Sequence, residues 1–108
     1  MMPSEIITSL AELTALNKKG VEALFVAEQE LAEAEHALDL AESKAFLTAD
    51  GSVAERQAKA KIEAAEARLT RDLARAGVSR IKMKLRSIES EIMSLATMAK
   101  ISQAEMKL

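Results

Sequence analysis

Two stretches of the chain repeat apolar residues at alternating four- and three-residue steps, which is the spacing of a coiled-coil seam. The aromatic and β-branched runs typical of strands are missing, and Phe25 and Phe46 are the only aromatic residues. The repeat therefore predicts an all-α protein of paired amphipathic helices. The first seam consists of Leu24, Ala27, Leu31, Ala34, Leu38, Ala41 and Ala45. The second consists of Val78, Ile81, Leu85, Ile88, Ile92, Leu95, Ala99, Ser102 and Met106.

A turn signal at residues 49–52 is the clearest boundary in the chain. Asp50 and Gly51 are turn-forming residues, and Ser52 followed three residues later by Glu55 is the capping-box signature of a helix start. The turn predicts an antiparallel helical hairpin or coiled coil, in which the segment before the turn packs along the segment after it.

Two glycines are predicted to divide the arms of this hairpin. Gly20 and Gly77 each interrupt an apolar repeat, and glycine is common at helix ends. The first helix would then be short, and it would either extend the hairpin or fold back on it. We therefore expect a single domain over residues 1–108 with helices at about 3–19, 21–48, 53–76 and 78–106. The seam of the third helix is predicted to consist of Ala58, Ile62, Ala65, Leu69 and Leu73.

The helix after Gly77 carries more apolar surface than one short helix covers, since Met83, Met93 and Met98 lie outside its seam. Self-association or a foreign helix is the expected cover, so a homo-oligomer is predicted. The predicted oligomer or partner interface consists of Val78, Ile81, Leu85, Ile88, Ile92, Leu95 and Met98.

The net charge of −2 conceals two halves of opposite charge. Residues 1–55 hold eleven acids and three bases, whereas residues 56–108 hold twelve bases and six acids. Helical charges are commonly solvated or paired within a protein. The acidic helix before the turn is therefore expected to attract the basic helix after it.

A stripe of bases on the second arm supports a different interpretation. Five bases fall within about 60° of one another on a continuous helix, beside the apolar seam. Such a stripe can neutralise successive phosphates, and arginine suits bidentate contact with them, although aromatic platforms for stacking bases are absent. The predicted contact site for single-stranded DNA consists of Arg68, Arg71, Arg75, Lys82 and Arg86.

The sequence holds no arrangement typical of catalysis. His36 is the only histidine, no cysteine is present, and no serine has a histidine nearby to act as its base. We expect a non-enzymatic protein without cofactor, metal ion or small-molecule substrate. The apolar stretches are too short for a membrane span, and the first residues lack a secretory signal, so a cytoplasmic location is expected.

Two short motifs and the general layout carry a resemblance. They are A-E-R-Q-A-K-A at residues 54–60 and K-M-K-L-R-S-I-E-S-E-I at residues 82–92. With the Ala/Glu-rich helix before the turn, the chain resembles small helical proteins of bacteriophage recombination regions, and it is similar in plan to UvsY-type recombination mediators. The resemblance implies an oligomeric accessory in the host cytoplasm that contacts single-stranded DNA and helps to load a recombinase.

A second function stays open beside this one. The sequence also fits a protein-binding adaptor or inhibitor, for example a phage antagonist of a host defence system. It would dock on a recombinase or a host protein through the apolar stripe from Val78 to Met106, or through the acidic helix.

Overall fold

The computed structural model describes residues 2–107, and no strand occurs in that range. Helix α1 spans Pro3–Thr48, α2 spans Val53–Glu63 and α3 spans Ala65–Lys107. This helical content confirms the predicted all-α class. The long helices α1 and α3 pack against each other. Across the residues described, no helix is both long enough and apolar enough to cross a membrane.

Helix α1 runs unbroken through Gly20, so the predicted short helix over residues 3–19 is wrong. Pro3 opens α1 in the first turn, where a backbone N–H has no helical acceptor and its loss is harmless. At Gly20 a Cβ atom would lie 2.5 Å from Leu85 Cδ2. Gly20 therefore permits a close approach of α3, and it does not end the helix.

Gly77 lies inside α3, so the predicted helix boundary there is also wrong. Among the described glycines, Gly51 has a positive φ, whereas Gly20 and Gly77 keep helical backbone. The interruption falls instead at Ala64, where φ of −89° and ψ of 8° end α2. The N–H of Ala64 donates to the Ala60 carbonyl at 3.0 Å, and the Ala64 carbonyl accepts from the N–H of Arg68 at 2.9 Å, so Ala64 is hydrogen-bonded to both α2 and α3.

The predicted turn is present between α1 and α2. Gly51 has a φ of 111°, in the left-handed region that favours glycine. The Ser52 hydroxyl oxygen accepts a hydrogen bond from the Glu55 N–H at 3.2 Å, as the capping-box signature predicts. Arg56 donates two hydrogen bonds to the Phe46 carbonyl, at 3.1 and 3.0 Å, and these bonds tie α2 to the end of α1.

The contacts of the chain define two compact units. The hairpin unit consists of residues 25–79, and the terminal unit consists of residues 1–24 and 80–108. Within each unit an α1 segment runs antiparallel to a segment from the second arm, as the pairs Arg68–Glu42 and Arg75–Glu35 show for the hairpin unit. The single-domain organisation over residues 1–108 stays a prediction.

The hairpin unit is packed mainly through small side chains. The predicted α1 seam is confirmed at Ala34, Leu38 and Ala45, which are buried. The predicted seam of the third helix is wrong, because all five of its residues are exposed: Ala58, Ile62, Ala65, Leu69 and Leu73. The opposite helical face is buried or half-buried instead, and it consists of Ala60, Ala64, Ala67, Arg71 and Ala74.

The continuity of α3 explains this change of face. The strong apolar repeat that begins at Val78 is confirmed as the buried face. Because the helix does not break at Gly77, the same face continues upstream to Ala74 and Arg71 and cannot switch to Leu69 and Leu73.

The terminal unit is packed through large aliphatic side chains. Ile6, Leu85 and Ile88 are buried, and the remaining seam is half-buried at Leu10, Leu13, Ile81, Ile92, Leu95, Ala99 and Ser102. Met106, the last predicted seam residue, is 78% exposed, so its assignment to the seam is wrong. Asn17 Oδ1 is buried and has no hydrogen-bond partner among the described residues.

Candidate functional site

The five bases of the predicted DNA-contacting stripe lie on α3 and fall in different units. Arg68, Arg71 and Arg75 belong to the hairpin unit, and Lys82 and Arg86 belong to the terminal unit. Each group has its own surroundings, which decide what its members can bind.

Two arginines of the hairpin unit are paired with acids of α1. Arg68 Nη2 lies 2.6 Å from Glu42 Oε1, and Arg75 Nη2 lies 3.7 Å from Glu35 Oε1. These pairs confirm, at two positions, the predicted attraction between the acidic and basic arms. Arg68 also donates to the Lys61 carbonyl at 3.3 Å. Its guanidinium is thus already engaged on two sides, and a phosphate would have to compete with Glu42 for it.

Arg71 is the most enclosed member of the stripe. Its side chain is 22% exposed, and its Nε donates to Asp72 Oδ1 at 2.7 Å. It lies on the buried face of α3, between Ala67 and Ala74. An arginine in that position contributes its aliphatic stem to the seam and presents little charge to a ligand outside.

Lys82 and Arg86 are exposed and have no ion-pair partner within the part of the chain that the structure describes. Other bases of the terminal unit are exposed as well: Lys18, Lys19, Arg80 and Lys84. Lys19 and Lys84 line one groove of about 300 Å³, whose walls include Gly20 and Leu85. The sequence reasoning did not include Lys18 and Lys19 in this basic surface, although antiparallel pairing of the two ends places this part of α1 near Lys82 and Arg86, at the end of the predicted stripe.

The predicted oligomer interface lies mostly inside the helix pair. Val78, Leu85 and Ile88 are buried. Ile81, Ile92 and Leu95 are half-buried, and Met98 is 39% exposed. The prediction expected a short first helix to leave apolar surface uncovered, whether that helix extended the hairpin or folded back on it. The unbroken α1 gives these residues a partner within the chain. Val78, Leu85 and Ile88 are therefore core residues in the single chain, and the oligomer interface stays a prediction.

Most of the exposed apolar side chains lie outside the predicted oligomer interface. Among the described residues, seventeen large hydrophobic side chains are exposed, and nine hydrophobic residues are buried, four of them alanines. On the α1 side of the hairpin unit, Phe25, Leu40 and Leu47 are exposed. On the other arm, one helical face carries six exposed apolar residues, which we name the outer stripe. The outer stripe consists of Ala58, Ile62, Ala65, Leu69, Leu73 and Ala76.

The side chains that could take part in chemistry are dispersed. No group of three or more His, Cys, Asp or Glu residues is placed to hold a metal ion among residues 2–107. An open groove of about 590 Å³ beside the turn is lined by Glu42, Ser43, Phe46, Leu47, Gln57, Ala60 and Lys61. Ser43 has no histidine in this groove to act as its base.

Each of the two units is a set of packed helices with apolar residues exposed on its outer faces. Comparison of the chain with protein-family models, with curated proteins and with solved structures gives no match. The similarity to UvsY-type mediators stays a prediction, and the function is argued from the residues alone.

Proposed function

We propose that this chain is a non-catalytic protein-binding module that docks another protein on its exposed helical faces. The distribution of apolar side chains carries this proposal. Seventeen large hydrophobic side chains are exposed among the described residues, against five buried ones larger than alanine. Phe25, Leu40 and Leu47 share one face of α1, and exposed apolar residues on one helical face are typical of sites that bind other proteins.

The contacts made by the five bases of the predicted stripe also favour protein binding over contact with DNA. Arg68 and Arg75 are paired with Glu42 and Glu35, and Arg71 is enclosed in the helix pair. Three of the five residues predicted to contact DNA therefore have competing partners. An adaptor or inhibitor that docks by its helical faces needs neither these charges nor a cofactor. Its partner would be a recombinase or a host protein in the cytoplasm.

Affinity capture with matched variants tests this proposal. Phe25→Glu combined with Leu47→Glu places charges at two side chains that are 69% and 73% exposed, so the fold is expected to persist. We expect the wild-type chain to retain a defined protein, and this double variant to retain at least about tenfold less of it, since apolar anchors dominate such interfaces.

The control for this capture is Lys82→Gln combined with Arg86→Gln, which removes two exposed charges and leaves the apolar faces intact. We expect it to retain the same protein as the wild-type chain. Retention that depends on Lys82 and Arg86, or on neither pair of residues, would contradict the proposal.

Contact with single-stranded DNA is a second candidate, which one observation favours. The exposed bases of the terminal unit, including Lys82 and Arg86, have no acid paired with them among the described residues. A role as a recombination or replication accessory would place the DNA backbone on these bases. Binding of this kind is indifferent to base sequence and falls steeply with salt.

Fluorescence anisotropy with a labelled oligonucleotide, at low and at moderate salt, tests the second candidate. Lys82→Gln combined with Arg86→Gln is expected to weaken binding and to lower the slope of log affinity against log salt by about 0.7 for each phosphate that the variant no longer neutralises. Lys44→Gln, which removes an exposed base from the acidic arm, is the control. A flat signal at low salt excludes this candidate.

A further inference from the structure

We propose that a second copy of this chain docks on the outer stripe of the hairpin unit, with the two stripes parallel. This inference goes beyond the proposed function, because it concerns a face other than that of Phe25 and Leu47 and assigns a second copy to it.

The outer stripe has the geometry of a helix-packing seam. Its residues follow one another on α2 and α3 at steps of four, three, four, four and three, and the buried residues opposite them keep helical spacing across Ala64. The stripe therefore lies on one side of both helices over about 27 Å. Ile62, Leu69 and Leu73 are 75%, 59% and 64% exposed, and the alanines between them permit a second helix to approach closely. The outer stripe thus has the side chains of a helix-packing seam, and no helix among the described residues covers it.

The outer stripe can be covered without disturbing the hairpin. It lies on the face of α2 and α3 opposite to Ala60, Ala64 and Ala67, which pack against α1. A partner would therefore add to the outside of the unit while the ion pairs of Arg68 and Arg75 stay in place.

The charged residues that flank the outer stripe are complementary to those of a second copy. Lys61 and Glu66 are exposed on opposite sides of the stripe, and neither has an ion-pair partner in the described range. Lys61 lies in the last turn of α2 and Glu66 in the first turn of α3, and they are five residues apart in sequence, close to the spacing at which flanking residues of two parallel helices meet. Around a two-fold axis, Lys61 of each copy would therefore face Glu66 of the other, which makes the surface complementary to itself.

The antiparallel alternative lacks this complementarity. In an antiparallel pair each flank meets the same flank of the other copy, so Lys61 of one copy would not face Glu66 of the other. The parallel alignment is the one in which both flanks contribute.

The size of the stripe sets the strength of the expected dimer. A stable interface commonly buries about 800 Å² on each partner, and a stripe of three large and three small side chains offers less than that. The dimer should therefore dissociate on dilution and not behave as an obligate assembly.

Sedimentation of the full chain over a range of concentrations tests the proposal. We expect a monomer–dimer equilibrium, and at least about tenfold weaker association for Leu69→Glu combined with Leu73→Glu. Met93→Glu, at a side chain that is 71% exposed in the terminal unit, is the control and should associate as the wild-type chain does. Circular dichroism of each variant confirms that helix content is kept.

A charge exchange tests the alignment. Lys61→Glu alone and Glu66→Lys alone should each weaken the dimer several-fold at low salt. An equimolar mixture of the two variants should restore it, because the acidic side chains at both positions of one variant then face the lysines of the other. If Lys61→Glu alone strengthens association, the parallel alignment is overturned. A chain that stays monomeric at every concentration, or a dimer indifferent to Leu69 and Leu73, overturns the proposal as a whole.

The two proposals fail separately. Capture of another protein through Phe25 and Leu47 concerns α1, so it is unaffected if the chain proves monomeric. If the chain is a monomer and substitution of Leu69 and Leu73 abolishes capture of the other protein, the outer stripe binds that protein, and a second copy is excluded.

Discussion

The hairpin unit and the terminal unit both contain segments of α1 and α3, and the hairpin unit also contains α2, yet the two units are packed by different side chains. In the terminal unit Ile6, Leu85 and Ile88 fill the seam. In the hairpin unit the seam is mostly alanine, and ion pairs such as Arg68–Glu42 lie along its edge. The comparison shows that one continuous helix must present one face throughout, even where its other face offers larger apolar residues.

The apolar burial that the hairpin unit lacks would stabilise it more than its ion pairs do. Burial of a leucine or isoleucine side chain stabilises a protein by about 1.5–3 kcal/mol, whereas a partly exposed ion pair contributes about 0–1 kcal/mol. The pairs of Arg68 and Arg75 therefore do not offset the exposure of Ile62, Leu69 and Leu73. Leu69 and Leu73 stay exposed because the face of α3 that packs against α1 is set by the repeat that begins at Val78.

Truncation of one leucine in each unit should give the largest difference. Leu85→Ala removes a side chain that is 8% exposed and should lower the free energy of unfolding by about 2–4 kcal/mol, since it leaves a cavity. Leu69→Ala, at a residue that is 59% exposed, should change it by less than about 1 kcal/mol in dilute protein. Urea denaturation of both variants measures this. Equal losses would mean that the predicted seam at Leu69 is buried after all.

Enlargement of one alanine probes the small seam of the hairpin unit. Ala64 is 1% exposed, so Ala64→Leu should overpack the helix pair and cost about 1–3 kcal/mol. Ala65→Leu, at the next and exposed residue, should be close to neutral. Thermal unfolding of the two variants separates them. A stable Ala64→Leu chain would show that the two arms are not closely packed at that level.

Removal of the ion pairs should have the smallest effect. Glu42→Gln breaks the 2.6 Å pair with Arg68 and should cost up to about 1 kcal/mol, less at high salt. Glu35→Gln, whose carboxylate lies 3.7 Å from Arg75 with both side chains about half exposed, should cost little. A double-mutant cycle with Arg68→Gln isolates the first pair. A coupling energy near zero would make that pair incidental to the hairpin.

Part of this fold could be predicted from the sequence, because local signals decide it. The spacing of Ala34 and Leu38, and that of Leu85 and Ile88, predicted the buried faces of α1 and α3. The turn at residues 49–52 followed from residue types that favour it. The helix boundaries predicted at Gly20 and Gly77 were wrong, because glycine is compatible with both a helix end and a helix interior. The sequence does not show that Leu85 packs closely against Gly20.

The candidate site was less predictable. Bases at helical spacing predicted a stripe, but the sequence did not show that Glu42 and Glu35 lie opposite two of them. The outer stripe was recognised as apolar and assigned to the wrong side, because the assignment depended on a break at Gly77 that does not occur. Patterns on one helix predict its faces, and the neighbouring helix decides which face is used.

The tight reversal at Gly51 also has a consequence for how the chain folds. The hydrogen bonds of Arg56 to Phe46 join residues ten apart in sequence, and the bond of Arg68 to Glu42 joins residues twenty-six apart. Closing a loop costs more entropy as the loop lengthens, so pairing should begin beside the reversal and extend outward. The alanine-lined segment nearest the reversal would then form first, and each later contact would be made between residues already brought near each other.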